Sequence, residues 1–399
     1  MARAIDRLGV YVDGPLRVAA QPGGDVVGAH PADYPFLVFL GEVGRHFRSL
    51  VLFGRAEQKA GLDAFVVLPE TIELEQLPYY PDLTQLGKVA AATPGTIAAF
   101  WRGLAGLDGV WVLGPHPLGL ALVVLARLRR KRVVLCIRQS TGKYFEARLP
   151  SRRWLPVLLP LRALDAIFLL LARRYKTVVA GPQLAARYGG DRDGLLVMAD
   201  SIVSERELAT GPRRLDWSGA IELLTVGRLD SEKNPLLLVD ALAELESRQP
   251  GQYRLVWVGG GPFEEPVRRR AAELGVADRL ELRGWIPFGP ELLDLYRLSH
   301  LFVHVSLTEG VPRVLFEAMA CATPIVATDV GGVRRALDEG RAGALVPPND
   351  RDALVGAIER VARDEALRER LVSRGLELAR ERTLEAQACR VARFIAGVP

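Results

Sequence analysis

The sequence predicts two α/β domains, each a doubly wound parallel sheet with helices on both faces. Short runs of Val, Leu and Ile alternate with longer amphipathic segments along most of the 399 residues, and the alternation occurs in two series. Continuous apolar runs of this length are typical of parallel strands that are buried on both faces. The chain length is also that of two domains, at roughly 100–200 residues each.

Each predicted strand has its own apolar run. The first series consists of LGVYVDG, SLVLFG, AFVVLP, GVWVLG, RVVLCI and TVVAGP, and the second of IELLTVG, YRLVWVGG, LELRG, LFVHVS, TPIVATD and GALVPP. Between them, the polar and turn-rich segment ELATGPRRLDWSGA indicates a domain boundary near 200–220. We therefore expect one domain over residues 1–205, a second over 206–382, and a last amphipathic helix over 383–399.

The composition is that of a globular protein, with 49% hydrophobic and 25% charged residues. Three widely spaced cysteines, Cys136, Cys321 and Cys389, argue against a disulfide framework or a cysteine metal site. They suit a reducing compartment. The opening residues MARAIDRLGVYVDG have no basic-then-apolar signal pattern. We therefore expect a cytoplasmic protein.

Positive charge is concentrated in one short part of the chain. Residues 1–205 contain 25 Lys and Arg against 18 Asp and Glu, and residues 127–176 alone contain 14 against 2. Such asymmetry predicts an anionic partner. The neighbouring residues are mostly Leu, Val and Pro, whereas nucleic-acid sites interleave aromatic residues with the charges. An anionic membrane surface, contacted through 127–176, is therefore expected in preference to nucleic acid.

The apolar segment over residues 154–172 has nearly the length of a membrane span. Arg162 and Asp165 interrupt it, and Pro156 and Pro160 break its first half. A helix that spans a bilayer is therefore not expected. The segment is interpreted as a buried helix or as a helix at the membrane interface.

The strongest chemical signal is SLTEGVPRVLFEAMACATPIVATDVGG, over residues 306–332. A strand ends at Ser306, and a helix is predicted to begin at Val311–Pro312. A helix N-terminus at the carboxyl end of a parallel strand is a favoured place for a phosphate, and Gly310 would let the backbone approach it closely. Glu309 and Glu317, roughly 8 Å apart along the helix, suit hydroxyl groups on either side of a diphosphate. The alternative is a capping Glu309 and a solvated Glu317.

A second loop, TVGRLDSEKNP over residues 225–235, also follows a predicted strand. Gly227 ends that strand, and Arg228 and Lys233 follow in the loop. A guanidinium with an ammonium group is a common means of holding a diphosphate. The alternative is a surface ion pair with the neighbouring Asp230 and Glu232.

Two further segments are weaker signals. The glycine run in VGGGPFEEPVRRR lies between a predicted strand and a predicted helix, but it is not a dinucleotide-binding fingerprint. The segment LRGWIP, over residues 282–287, ends a strand whose backbone could meet a nucleobase. A tight turn is the alternative for both segments.

Taken in order, these motifs resemble the donor domain of the retaining glycosyltransferases of family 4. The matching segments are GRLDSEK at 227–233, VGGGP at 258–262, DRLELRGWI at 278–286, EGVPRVLFE at 309–317 and PIVATDVGG at 324–332. The resemblance implies the GT-B fold, in which two Rossmann-like domains face a central cleft and the last helix crosses back to the first domain. It also implies that the first domain binds the acceptor and the second the nucleotide sugar.

The resemblance implies a role for individual residues. Glu309 would contact the donor sugar and Glu317 the ribose. The diphosphate would be held by Arg228 and Lys233 together with the helix end at Gly310–Val311, next to Gly227. The nucleobase contacts would fall at Trp285 and Ile286.

The reaction implied is metal-independent transfer, with retained anomeric configuration, of a sugar from a UDP- or GDP-sugar to a glycan or lipid-linked acceptor. Neither a metal nor any other cofactor is expected. A role in glycolipid or cell-surface polysaccharide synthesis at the cytoplasmic face of the membrane follows from the basic stretch. The alternatives are a nucleotide-sugar epimerase on the same fold and a non-catalytic sugar-nucleotide-binding protein.

The first half of the chain departs from the family pattern. The usual Gly-Gly-x-Glu-Arg opening is absent, and residues 21–33, with Gly23, Gly24 and Gly28, occupy its place. His116, in LGPHPLG, resembles the histidine that some members place over the donor sugar, although a turn histidine fits the segment equally well.

Overall fold

The fold is described from a computed structural model of the chain. The structure describes residues 5–21, 24–29, 34–58, 66–67, 71–83, 85–138, 155–190, 192–198 and 202–398. The chain divides into two compact units, Met1–Ile202 together with Leu384–Pro399, and Val203–Thr383. Each unit is built on its own sheet, so the predicted pair of α/β domains is confirmed.

The first unit contains a nine-stranded sheet among the described residues. Its strands are β1 (Arg7–Gln21), β2 (Gly24–Ala29), β3 (Ser49–Gln58), β4 (Val66–Val67), β5 (Ile72–Leu77), β6 (Gly109–Gly114), β7 (Arg132–Ile137), β8 (Lys176–Ala180) and β9 (Leu195–Met198). The order is β4-β2-β1-β6-β7-β8-β9, and β3 pairs with β1 and β5. Its helices are α1 (Tyr34–Gly44), α2 (Leu86–Gly103), α3 (Pro117–Leu128), α4 (Leu155–Arg174), α5 (Pro182–Tyr188) and α13 (Leu384–Ala396).

One edge of this sheet differs from the prediction. The segment that replaces the family's glycine motif runs antiparallel, because β1 continues to Gln21 and pairs with β2. Gly24 and Gly28 lie in β2, whereas Gly23 lies outside the described residues. In the segment AFVVLP, the described residues Val66–Val67 form a strand. This strand is antiparallel to β2, and Val67 is 54% exposed, so the expectation of a buried parallel strand is wrong at these two residues.

The two faces of the first sheet are covered by different helices. Buried residues of α1 and α13 form one core with Val134, Cys136 and Val178. Buried residues of α2, α3 and α4 form another with Leu135 and Val179. Alternate residues of the strands therefore serve opposite cores, as the period of two in a strand requires. The last helix belongs to the first unit.

The apolar helix α4 is amphipathic rather than uniformly buried. Phe168 and Ala172 are fully buried, whereas Ile167 and Leu170 are 38% and 62% exposed. Asp165 is buried, and its Oδ2 lies 3.4 Å from Arg187 Nη2. Among the described residues, no helix has the length and apolar character needed to cross a membrane. Residues 139–154 of the basic stretch, Trp154 included, lie outside the described residues.

The second unit is a fully parallel sheet. Its strands are β10 (Ile221–Val226), β11 (Tyr253–Val258), β12 (Leu280–Leu282), β13 (Leu301–His304), β14 (Ile325–Thr328) and β15 (Ala344–Val346). Its helices are α6 (Pro235–Arg248), α7 (Glu264–Glu273), α8 (Pro290–Leu298), α9 (Arg313–Ala320), α10 (Val333–Ala336), α11 (Arg351–Arg363) and α12 (Glu365–Arg380). The strand order is β12-β11-β10-β13-β14-β15, which reverses direction between β10 and β13.

Candidate active site

The loops that follow β10 and β13 meet at the point where the strand order reverses. Open α/β sheets bind ligands outside the carboxyl ends of the strands at such a point. Leu307 N–H donates to Glu232 O over 2.8 Å, which ties the two loops together. Lys233 ends a 3-10 turn in which the Asp230 side chain accepts from Lys233 N–H over 3.1 Å. The next residue, Asn234, takes the left-handed conformation before Pro235 opens helix α6.

A partly buried ion pair joins these two loops. Lys233 Nζ donates to Glu309 Oε1, and His304 Nε2 lies 3.2 Å from the same oxygen. The Glu309 and His304 side chains are only 11% and 3% exposed. Burial alone would raise the pKa of the Glu309 carboxyl, but the contacts with His304 and Lys233 outweigh burial and lower the pKa to about 2. Glu309 is therefore an anion at neutral pH, and it faces a cation from the neighbouring loop.

His304 is a site residue that the sequence analysis missed. It is the last residue of β13 and is almost completely buried. The sequence feature that could have indicated it is a polar residue within the otherwise mostly apolar run LFVHVS. A lone histidine in a buried strand does not show its partner, because Glu309 approaches it only after the chain has turned.

Backbone packing fixes the position of the Glu309–Gly310 loop. A Cβ added to Gly331 would lie 1.9 Å from Glu309 O, and a Cβ added to Gly332 would lie 1.8 Å from Gly310 O. Gly331 also has a φ of +52°, in the region that favours glycine. The two glycines of PIVATDVGG therefore let one loop lie directly against the other. Around Gly310 itself, no described atom lies within 4 Å of an added Cβ.

A second glycine pair supports the Gly227 loop. Added Cβ atoms would lie 2.0 Å from Gly227 O at Gly259 and 2.3 Å from Leu229 O at Gly261. Trp257 Nε1–H donates to Gly227 O over 2.9 Å. The glycine run was interpreted from sequence as a weak signal or a tight turn. In the structure it packs directly against the backbone of the loop that contains Arg228 and Lys233.

Glu317 lies inside helix α9 and is buried, so the alternative of a solvated helix residue is wrong. Only 6% of Glu317 is exposed, and Tyr296 Oη–H donates to its Oε2 over 2.9 Å. Burial raises the pKa of Glu317, while the Tyr296 hydrogen bond and the charge of Arg313 partly oppose the rise. The helix begins at Arg313, with Pro312 as its N-cap. It therefore starts slightly later than the predicted Val311–Pro312.

The remaining predicted donor-site residues are more exposed. Arg228 is 66% exposed, and its Nη2 lies 2.9 Å from Asp230 Oδ2 and 3.5 Å from Glu232 Oε2. This is the surface ion pair that the sequence left open as the alternative. Trp285 is 64% exposed. Ile286 and Val311 are partly buried against the core below the site.

His116 belongs to a polar cluster in the first unit. It is the N-cap of helix α3, its Nδ1 lies 2.8 Å from Tyr11 Oη, and its Nε2 lies 3.1 Å from Asp13 Oδ2. Arg55 Nε donates to Asp13 Oδ1 over 3.1 Å, and Tyr80 Oη–H donates to the same oxygen. Burial would raise the pKa of Asp13, but His116, Arg55 and Tyr80 lower it overall. The cluster was missed because its other members come from three other places in the first unit, which are β1, β3 and the segment that contains Tyr80.

No set of three or more His, Cys, Asp or Glu side chains could hold a metal ion anywhere in the described ranges. The chemistry that the second unit offers is electrostatic. Lys233 supplies a positive charge, the backbone at Gly310 has open space beside it, and the two glutamates offer carboxylate oxygens. This arrangement can bind a polyhydroxylated anion at the ends of β10 and β13.

The fold is that of the two-domain GT-B glycosyltransferases. A crystal structure of Anabaena HepE in complex with UDP and glucose aligns with a TM-score of 0.65 and 18% identity, over 99% of this chain and 100% of the other. A crystal structure of WaaG, a glycosyltransferase of lipopolysaccharide biosynthesis, aligns with a TM-score of 0.66 and 13% identity, over 98% and 100% of the two chains. At these identities the likeness concerns the fold.

Part of the chain is similar in sequence to the group 1 glycosyltransferases. Residues 214–377, which lie inside the second unit, match the family described as "Glycosyl transferases group 1". The D-inositol 3-phosphate glycosyltransferase of Acidothermus cellulolyticus is 37% identical over 205 residues, 48% of this chain and 45% of the relative. The alpha-D-kanosaminyltransferase of Streptomyces kanamyceticus is 32% identical over 158 residues, 39% and 40% of the two chains. The chain thus spans less than half the length of these relatives.

The packing of the glycine loops predicts that one alanine substitution lowers stability and that another leaves it nearly unchanged. Gly332→Ala places a methyl group against Gly310 O and should lower the free energy of unfolding by at least about 1 kcal/mol. Gly310→Ala places the methyl group in open space, so the free energy of unfolding should stay within about 1 kcal/mol of the wild-type value. Urea unfolding of both variants measures the difference. Equal stability of the two would show that the loops do not pack as described.

The ion pair at Glu309 predicts a specific dependence of stability on pH. The pKa of Glu309 is about 2 in the folded chain against an ordinary value of 4.5. Its contribution, on the order of 3 kcal/mol, should therefore be fully present above pH 4.5 and decline as the pH falls toward 2. Urea unfolding across this range compares wild type with Glu309→Gln, which lacks the titrating group. The difference in free energy of unfolding between wild type and Glu309→Gln should become smaller as the pH falls. The free energy of unfolding of Glu265→Gln, a substitution at an exposed residue, should stay close to that of wild type at every pH.

Proposed function

We propose that the chain transfers a sugar from a nucleotide-sugar donor to an acceptor hydroxyl, with retention of the anomeric configuration. The main support is the pairing of Lys233 with Glu309 at the switch point of the parallel sheet. A cation and an anion from neighbouring loops lie there beside a glycine, Gly310, that leaves space for a ligand. Such a site suits the two ends of one substrate, a diphosphate and a sugar.

The proposed roles of the charged residues follow from where negative charge develops. When the bond between the anomeric carbon and the diphosphate oxygen breaks, charge accumulates on the diphosphate. Lys233 and the N–H groups at Gly310–Val311 would stabilise that charge before water could reorganise around it. Arg228 would add a second cation by leaving Asp230 and Glu232, which its exposure permits. Glu309 would accept hydroxyl protons of the sugar.

The proposed chemistry needs no protein nucleophile. The acceptor oxygen bonds to the anomeric carbon on the face from which the diphosphate departs. The hydroxyl proton passes to a phosphate oxygen of the leaving group, so atoms and charges balance. His116, which resembles the histidine that some family members place over the donor sugar, is proposed as a further catalytic residue, with Asp13 fixing the orientation of its ring.

The nucleoside part of the donor would use the remaining residues. Glu317 would accept from the ribose hydroxyls, and the Tyr296 hydroxyl would hold its carboxyl group in place. Trp285, exposed on the loop after β12, offers a face on which a base can stack, with Ile286 beside it. A UDP- or GDP-sugar is the proposed donor, with no metal or other cofactor. The HepE structure was solved with UDP and glucose, which supports the uridine nucleotide.

The acceptor is proposed to be a glycan or a lipid-linked molecule, used in glycolipid or cell-surface polysaccharide synthesis. Exposed apolar residues lie within the basic stretch itself, with Leu128 68% and Leu170 62% exposed. Apolar and cationic side chains together favour the headgroup region of an anionic bilayer. We therefore propose a cytoplasmic protein that binds peripherally to the membrane. The WaaG likeness, to a glycosyltransferase of lipopolysaccharide biosynthesis, supports this setting.

Loss of the site cation should strongly reduce donor turnover. Lys233→Ala is expected to lower kcat/KM for donor cleavage by at least roughly 100-fold, since it removes a charge-assisted contact made to the leaving group. The assay follows nucleotide release from UDP-, GDP-, ADP- and dTDP-sugars. Arg268→Ala, which removes an exposed cation paired with Glu264 on helix α7, is the matched control and should retain wild-type rates. Undiminished turnover in Lys233→Ala would contradict the proposed site.

Membrane binding should depend on lipid charge and on salt. We expect co-sedimentation with vesicles that increases with the fraction of phosphatidylglycerol and decreases between about 0.05 and 0.5 M NaCl, because salt screens exposed charges. Leu128→Ser with Leu170→Ser should weaken the binding at every lipid composition. Sedimentation that is the same for neutral and anionic vesicles would remove the membrane from the proposal.

A further inference from the structure

A cavity of about 590 Å³ in the first unit is lined by six cationic side chains. They are Arg127, Arg130, Lys131, Arg132, Arg174 and Lys176. None of the described residues that line it is acidic. The cavity lies at the end of the sheet where strands β7 and β8 begin. His116 lies at the opposite end of the strands, after β6 ends. The cavity is therefore separate, within this unit, from the edge at which α/β sheets bind their substrates.

The topology brings these cations together at the end of the sheet where strands β7 and β8 begin. Helix α3 ends at Leu128, and strand β7 begins at Arg132. Helix α4 ends at Arg174, and strand β8 begins at Lys176. Since β7 and β8 are adjacent and parallel, both helix-to-strand connections lie at the same end of the sheet.

Two of the cations converge at the inner wall of the cavity. A Cβ added to Gly397 would lie 3.7 Å from Arg132 Nη1 and 3.8 Å from Lys176 Nζ. Arg132 Nη2 is buried and has no hydrogen-bond partner among the described residues. Burial lowers the pKa of Lys176, and the charge of Arg132 lowers it further. Two positive groups that share one wall repel each other unless an anion lies between them.

A purely structural role explains only some of these side chains. Basic residues favour helix C-termini by about 0.3–1 kcal/mol each. Lys131 Nζ donates to Leu107 O over 2.6 Å, and Lys176 Nζ to Phe394 O over 2.9 Å. Neither of these structural roles provides a hydrogen-bond partner for Arg132 Nη2 among the described residues. The charge of Asp108 acts on Arg132, but its Oδ2 already accepts the N–H groups of Asp6 and Arg7.

We propose that this cavity binds a phosphate-bearing anion with at least two negative charges. Guanidinium groups match phosphate oxygens in pairs, and several cations without a lining carboxylate favour a multiply charged ligand over a single carboxylate. The volume lies in the range of sites for small ligands. A free polyphosphate and the phosphate of a lipid headgroup share this chemistry. The inference rests on the first unit alone and does not depend on the proposed transfer reaction.

Calorimetric titration of the full chain with sodium pyrophosphate tests the proposal. The titration uses Lys233→Ala as the background, so that binding at the proposed donor site is removed. Pyrophosphate should still bind, and adding Arg130→Gln with Arg174→Gln should weaken its binding at least about tenfold, as expected for lost charge-assisted hydrogen bonds. Both arginines are exposed, so the fold should persist, and circular dichroism checks it. Lys88→Gln with Arg102→Gln, two exposed cations of helix α2 outside the cavity, is the matched control and should leave the affinity within about twofold.

Vesicles distinguish the two sources of the phosphate. If lipid is the source, phosphatidylglycerol vesicles should compete with pyrophosphate, and Arg130→Gln with Arg174→Gln should weaken vesicle binding more than the control pair does. If a soluble anion is the source, pyrophosphate binding alone should respond to these substitutions. The proposal is overturned if neither ligand distinguishes the cavity variant from the control. Donor cleavage by Arg130→Gln with Arg174→Gln in the otherwise wild-type chain should be unchanged, so failure here is separable from failure of the proposed function.

Discussion

The partly buried ion pair between Lys233 and Glu309 is the interaction on which the candidate site depends. It joins the loops that follow β10 and β13, and these loops meet because the strand order reverses between those two strands. Taking both charges out of water costs free energy that their attraction alone need not recover. His304, at 3.2 Å from the same carboxylate oxygen, supplies a further contact that offsets the cost. The pair is thus a means of fixing two loops, and it keeps a cation near the space beside Gly310.

The two glutamates of this segment lie in opposite electrostatic environments. Glu309 contacts Lys233 and His304, and its pKa falls to about 2. Glu317 is buried beside the Tyr296 hydroxyl, and its pKa is raised. Carboxylates whose environments separate their pKa values are suited to different tasks. Glu309 can stabilise positive charge, whereas Glu317 is suited to hydrogen bonding with a neutral group.

Much of the second unit follows from its sequence, because each strand is a continuous apolar run and each run is followed by a helix. All six strands were predicted, and so was the helix that contains Glu317. The contacts were not predictable, because they depend on residues far apart in the chain. His304 reaches Glu309 and Tyr296 reaches Glu317 only through the packing of loops and helices. Arg228 shows the converse, since its nearby acidic partners were visible in sequence and are the partners that it has.

In the first unit the sequence was informative about charge and less so about the sheet. A run such as IELEQL alternates apolar and acidic residues, yet it forms β5 parallel to β3 and was not predicted. The charge of residues 127–176 predicted an anionic partner, but a net charge does not show whether cations spread over a surface or converge. The register of β7 and β8 decides this, because Lys176 lies opposite Val134 and therefore on the same face as Arg132. With Gly397, which follows helix α13, beside both head groups, the charge is focused into a cavity. A focused charge can select a ligand by its geometry as well as by its sign.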